Sequence, residues 1–192
     1  TSISKDHLDW LPFNQRTIKK IVLEKTSTLL NSNIIVARQN TKNTMNYIKE
    51  SISKNLSNKI FFDDNFKYLK NGNDFFLYKD KFGELKLPTP NVLGQFQLEN
   101  ISTAIAMIRT LKLNVEDRHI QKGIKKIKNI ARLQEIYSGK MKDLVKKNRL
   151  LLDGSHNEDG SRVLNEFLDT LNCKKHIILG MMANKDHKKF IN

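Results

Sequence analysis

Apolar positions along the chain change spacing several times, and each change marks an element. Within residues 17–30, Ile18, Ile21, Val22 and Leu29 recur at three- and four-residue intervals, which predicts a helix. Asn33-Ile34-Ile35-Val36-Ala37 is a short continuous apolar run suited to a buried strand. Met45, Ile48 and Ile52 then predict a second helix, and Ile60-Phe61-Phe62 a second strand. Strand, helix and strand in that order form one turn of a parallel sheet. From Phe66 to Leu87 the pattern alternates and is broken by Asn71-Gly72 and Lys81-Phe82-Gly83, which predicts a small antiparallel meander. Pro88-Thr89-Pro90 is a rigid link. After it, Ile101, Ala104, Ile105 and Ile108 predict a helical stripe, followed by another helix over residues 115–127. Leu150-Leu151-Leu152 stops abruptly at Asp153-Gly154, and Val163, Leu164, Phe167, Leu168 and Leu171 follow at helical spacing. That is a buried strand, a tight turn and a helix. A further strand is expected from His176. The fold class is α/β, with a domain boundary between residues 131 and 132.

Composition narrows the class. A chain of 192 residues with 39% hydrophobic content, eight Gly and three Pro has the make-up of a globular protein. No apolar run approaches the roughly 18 residues that a membrane span needs, so no membrane partner is expected. The single cysteine, Cys173, excludes an internal disulfide framework and suits a reducing compartment such as the cytoplasm. The net charge of +14 raises nucleic-acid binding as an alternative. However, the basic residues are scattered lysines. The densest cluster, from Lys122 to Lys128, shares a helix with inward-facing Ile120, Ile124 and Ile127 and has no interleaved aromatics for base stacking. It reads as a solvated face, and no nucleic-acid partner is expected.

Candidate chemistry gathers where strands end. In an open α/β sheet ligands bind at the carboxyl ends of the strands, and Asp153, His156 and Asn157 would crowd that mouth. A helix amino end there favours anions, although a polar loop with an Asp turn accounts for the same residues. Lys25 falls on the apolar stripe of the first helix, where burial disfavours an ammonium; a lysine with its head reaching out to solvent is the alternative. Arg132 offers a guanidinium fork suited to phosphate, or is a solvent-facing connector residue. Asn100 offers the donor and acceptor that a base edge takes, or belongs to a polar first helical turn. His7 beside Asp6 reads as a surface polar pair.

Six stretches, in order, resemble one family. Asp153-Gly154-Ser155-His156-Asn157 is similar to the Asp-Gly-Ala-His-Asn signature of the folylpolyglutamate and dihydrofolate synthases of the Mur ligase superfamily. The others are Thr1-Ser2-Ile3 with Asp6-His7 and Trp10-Leu11, Glu24-Lys25, the segment ending in Asn100, Ala131-Arg132, and Gly180-Met181 with Asn184-Lys185-Asp186. The sequence departs from the family at Thr26-Ser27-Thr28, at Ala131 where Gly is usual, at Glu158 where Pro is usual and at Asn184 where Asp is usual.

The resemblance implies the rear part of a Mur-ligase central ATPase domain over residues 1–131 and the first part of a Rossmann-like carboxyl-terminal domain over 132–192. It implies ATP and magnesium, with His7 at the metal, Lys25 carbamylated beside it, and Asn100, Arg132 and Asp153 on the base, phosphate and ribose. His156 would lie near the triphosphate. The implied activity joins L-glutamate to a pteroate or folate substrate through an acyl phosphate, in a monomer. A peptidoglycan-precursor ligase and a non-catalytic basic binding module are the rivals. No Gly-x-x-x-x-Gly-Lys-Ser/Thr loop occurs, since Gly139-Lys140 is followed by Met141. In the family that loop lies upstream, so the chain is expected to be a portion of a longer enzyme and inactive alone.

Overall fold

Each helix of the parallel unit begins on a hydroxyl. Thr17 caps α1 (Ile18–Thr26) by accepting the Lys20 amide, and Thr41 caps α2 (Lys42–Ser51) by accepting the Thr44 amide. Between them β1 (Ile34–Val36) pairs in parallel with β2 (Lys59–Phe61), Ile34 lying opposite Lys59 and Val36 opposite Phe61. Val22, Ile34, Val36, Ile48 and Ile52 pack into one core, so both helices bury their apolar stripes against this pair. These elements belong to a computed structural model that describes residues 1–6, 11–29, 32–183 and 185–191. The chain forms two units, Thr1–Pro90 with Leu98–Lys126, and Asn91–Gln97 with Ile127–Asn192.

The meander follows in the first unit as β3 (Phe66–Asn71), β4 (Phe75–Asp80) and β5 (Gly83–Pro88), paired in that order. Period-two alternation sends Phe66, Phe76, Tyr78, Leu85 and Leu87 inward and leaves Lys67, Lys79 and Lys86 in solvent. Tyr78 donates its hydroxyl to Asp80 Oδ2 at 3.0 Å, and Arg109 Nε lies 3.0 Å from the same oxygen. Burial, followed by the charge of Asp80, pushes the Tyr78 phenol well above its ordinary range. Arg109 comes from α3 (Phe96–Thr110), so this ion pair ties the helix to the meander. The fourth helix, α4 (Asp117–Lys125), buries Ile120 and Ile124 while Lys122, Lys125, Lys126 and Lys128 stay exposed. A mixed α/β fold with a parallel pair, a meander and helices is therefore present as the sequence predicts.

Two expectations for the first unit are corrected. The first helix ends at Thr26, and Lys25 is exposed. The buried line passes instead through Val22 to Thr26, whose hydroxyl bonds to Val22 O at 2.8 Å and to Ser51 Oγ of α2 at 2.5 Å. Lys25 sits one position off that line, so the desolvation argument for a neutral, carbamylated lysine loses its premise. On α3, Ala104 is exposed, and Ser102 and Thr103 are buried in its place.

The second unit contains β6 (Gln134–Glu135), α5 (Lys140–Val145), β7 (Leu151–Leu152), α6 (Glu158–Asp169) and α7 (His187–Ile191). The expected strand, turn and helix are found at β7 and α6. The strand, however, is not a buried parallel one: β7 pairs antiparallel with β6, and Leu152 is 48% exposed. Arg149 braces this hairpin with a fork, Nε to Glu135 Oε1 at 2.8 Å and Nη2 to Oε2 at 2.7 Å. Those hydrogen bonds hold the Glu135 carboxyl below its ordinary range. The run from His176 to Met182 is not a strand. Its residues Ile177 and Ile178 are exposed, and among the described residues no strand pairs with it. Among the described residues no helix is long and apolar enough to cross a membrane.

The core and the corrected position of Lys25 make opposite predictions. Ile48→Ala should cost about 2–4 kcal/mol, the usual range for truncating a packed Ile. Lys25→Ala should stay within about 0.5 kcal/mol, as exposed substitutions do. Chemical denaturation of the two variants against the parent measures both.

Candidate functional site

The candidate site is the turn between β7 and α6, together with the segment that it grips. Asp153 Oδ1 accepts the Ser155 amide at 2.8 Å, which closes an Asx turn. Its other oxygen, Oδ2, accepts the Leu133 amide at 2.7 Å, twenty residues away in sequence. Gly154 completes the grip by donating its amide to Ala131 O at 2.9 Å. A side chain at 154 would begin 2.9 Å from Arg132 Nη1 and 3.3 Å from Ala131 O, so it would displace the Arg132 head and crowd the Ala131 carbonyl. Arg132 thereby stands beside the Asp-Gly-Ser-His turn. Its guanidinium is exposed, donates through Nη1 to Ala131 O at 3.2 Å, and meets no carboxylate among the described residues.

The backbone around Arg132 is unusual. Ala131 has φ of 52° and Leu133 φ of 49°, so Arg132 lies between two left-handed residues that are not glycine. Leu133 is 2% exposed and anchors the kink, while Arg132 is turned out. The resemblance leads to an expectation of glycine at 131, and the positive φ of Ala131 is a conformation that glycine adopts without strain.

His156 follows in the same turn. Its Nδ1 lies 2.9 Å from Gly154 O; a carbonyl only accepts, so Nδ1 carries a proton and donates it there. Asn157 caps α6 through the Gly160 amide at 2.8 Å. Glu158 and Asp159 in the first turn already complement the positive end of that helix. Gly160 is another close approach, since a Cβ there would stand 2.8 Å from Ser155 Cβ.

The sequence-predicted residues therefore divide. Arg132, Asp153 and His156 come together in the second unit. Lys25 and Asn100 lie in the first unit, on α1 and α3, and both are exposed. His7 and Asn184 fall outside the described residues. Among the described residues no three His, Cys, Asp or Glu side chains converge, and the candidate ligand His7 lies outside them.

Two residues emerge that the sequence did not flag. Arg38 follows β1 at the carboxyl end of the parallel pair. It forks onto Asp63 at 2.9 and 3.2 Å, reaches Glu99 Oε1 at 3.0 Å and stacks 4.5 Å above the Phe62 ring. Its position just past a parallel strand was the available signal. Gln97, one turn before Asn100, is 3% exposed; Oε1 accepts from Asn129 at 2.9 Å, and the buried Nε2 has no partner among the described residues. Nothing in the polar run around it marks that burial.

The strained kink and the close glycine give a paired prediction. Ala131→Gly should stabilise the protein by roughly 0.5–1 kcal/mol, because relief of a left-handed alanine exceeds the added chain entropy. Gly160→Ala should destabilise it by about 1 kcal/mol or more through the Ser155 contact. Thermal melts of both variants give the signs.

No protein-family model and no curated protein matches the sequence. Solved structures do. The chain is similar to the FPGS–AMPPCP–folate complex, with 22% identity and a TM-score of 0.73, over 90% of this chain and 42% of that one. It is similar to Escherichia coli FolC in complex with DHPP and ADP, with 25% identity and a TM-score of 0.72, over 91% of this chain and 38% of that one. The folylpolyglutamate synthase of Thermotoga maritima gives 20% identity and a TM-score of 0.65, over 80% and 35% of the two chains. The chain thus spans about two fifths of the length of the first two structures and about a third of the last. Over that part of their length, it has the fold of the folylpolyglutamate synthases.

Proposed function

We propose that this chain is part of an ATP-dependent ligase that joins L-glutamate to a pteroate or folate carboxylate. The observation that carries the reading is a meeting in space. Ala131-Arg132 and Asp153-Gly154-Ser155-His156 are separate in sequence, resemble separate motifs of the same family, and converge within a fold similar to that family. Residues 1–131 would belong to the central ATPase domain and 132–192 to the carboxyl-terminal domain.

In this reading the substrate carboxylate attacks the γ-phosphorus of ATP, and ADP departs with the bridging oxygen. The glutamate amine then attacks the acyl carbon, and phosphate leaves as the amide forms. Such transfers are accelerated mainly by positioning and by neutralising charge on phosphate oxygens. Arg132 supplies an always-charged fork for a phosphate oxygen. His156 lies in the adjoining turn, its ring held by the Nδ1 bond to Gly154 O, and is assigned a place near the triphosphate. Asn100 is assigned to the base edge through its exposed amide.

The test uses the full-length protein with ATP, labelled L-glutamate, and either dihydropteroate or tetrahydrofolate. Glutamate should enter the pterin product with one ADP released per amide formed. Arg132→Ala should lower kcat/KM by about tenfold or more, the scale of one lost charge-assisted hydrogen bond. Transfer of an amino acid to a muramoyl nucleotide instead, or no ligation of glutamate to either pterin, would overturn the proposal.

A further inference from the structure

The expected task of Asp153 is to accept ribose hydroxyls, yet both of its oxygens are already turned inward. Oδ2 receives the Leu133 amide and Oδ1 the Ser155 amide. These two bonds link the segment that carries Arg132 to the turn that carries His156. Between them the backbone holds two non-glycine residues at positive φ, one on each side of Arg132. Strained residues of this kind persist only where the surroundings over-determine them, and they cluster at ligand clamps. Here the over-determination is visible. The Asp153 carboxylate fixes the amide of Leu133, the Gly154 amide fixes the carbonyl of Ala131, and the side chain of Leu133 is buried. Every restraint falls on the residues flanking Arg132, and the Arg132 head is left facing solvent.

We infer that Asp153 is a positioning residue for Arg132: its carboxylate holds the 131–133 kink so that the guanidinium is set in place before an anionic phosphate ligand arrives. This deepens the ligase reading and rests on it for the identity of the ligand. The geometry of the bracket stands apart from that reading. Asparagine at 153 would keep one carbonyl oxygen for one amide but present an NH2 group to the other. The kink would then lose a charge-assisted acceptor while side-chain size is conserved. Pre-organisation, not direct contact, is what the variant would lose.

The experiment measures binding of ATP and of 2′-deoxy-ATP to the full-length protein by titration, for the parent, Asp153→Asn, Arg132→Ala and the double variant. A positioning role predicts three results. Asp153→Asn weakens both nucleotides by the same factor, so the ratio of their affinities matches the parent. Arg132→Ala weakens binding by about tenfold. The double variant binds within about twofold of Arg132→Ala, because residues acting through one another are not additive. Loss of the parent's preference between the two nucleotides in Asp153→Asn, or full additivity in the double variant, would overturn it and return Asp153 to the ribose. Amide hydrogen exchange at Leu133, read in the same proteins without nucleotide, separates this inference from the functional one. Faster exchange in Asp153→Asn supports the bracket even if the parent binds no ATP, which would sink the ligase reading alone. Unchanged exchange at Leu133 would sink the bracket whatever the nucleotide data show.

Discussion

The Asp153 carboxylate is the interaction on which the second unit's site depends. A hydrogen bond to a charged acceptor contributes roughly 1.5–3 kcal/mol, whereas a left-handed non-glycine residue costs roughly 1–2 kcal/mol. One such bond, from the Leu133 amide, falls on the kink, and it offsets roughly one of the two left-handed residues, Ala131 and Leu133. The Gly154 amide on Ala131 O and the buried Leu133 side chain add to it. Without the carboxylate, nothing else among the described contacts of Leu133 holds its amide.

The first unit solves a related problem differently. At the carboxyl end of β1 and β2, Arg38 is engaged by Asp63 and Glu99, with Phe62 beneath it. All three edges of its fork serve the fold, joining the loop after each parallel strand to the first turn of α3. The two arginines differ accordingly: Arg38 is a fastener, whereas in the proposed reading Arg132 is held ready for a ligand. The contrast depends on partners rather than on exposure, since Arg38 keeps 42% of its side-chain surface in solvent.

Much of the fold was legible because it follows from periodicity. The β1–α2–β2 turn and the meander are written in runs of β-branched and alternating residues, and Asn71-Gly72 fixes a hairpin that needs positive φ. Lys25 was misread because the buried line of a nine-residue helix shifted by one position, onto Thr26, where a hydroxyl could bond to Ser51. The run from His176 to Met182 was misread because a strand is a property of two backbones, and periodicity describes only one. The site was legible as a list of residues and not as an arrangement. The resemblance implied a common chemistry for Arg132, Asp153 and His156, and the structure brings the three together. No spacing rule could show that Asp153 reaches back twenty residues to an amide, or that Ala131 occupies a glycine conformation.

A crystal structure of the full-length protein with a non-hydrolysable ATP analogue tests the central claim most directly. The account predicts a phosphate oxygen within hydrogen-bond distance of the Arg132 guanidinium, with Asp153 still accepting the amides of Leu133 and Ser155. An Asp153 carboxylate swung onto the ribose hydroxyls, with the Leu133 amide released and Arg132 away from the phosphates, would contradict it.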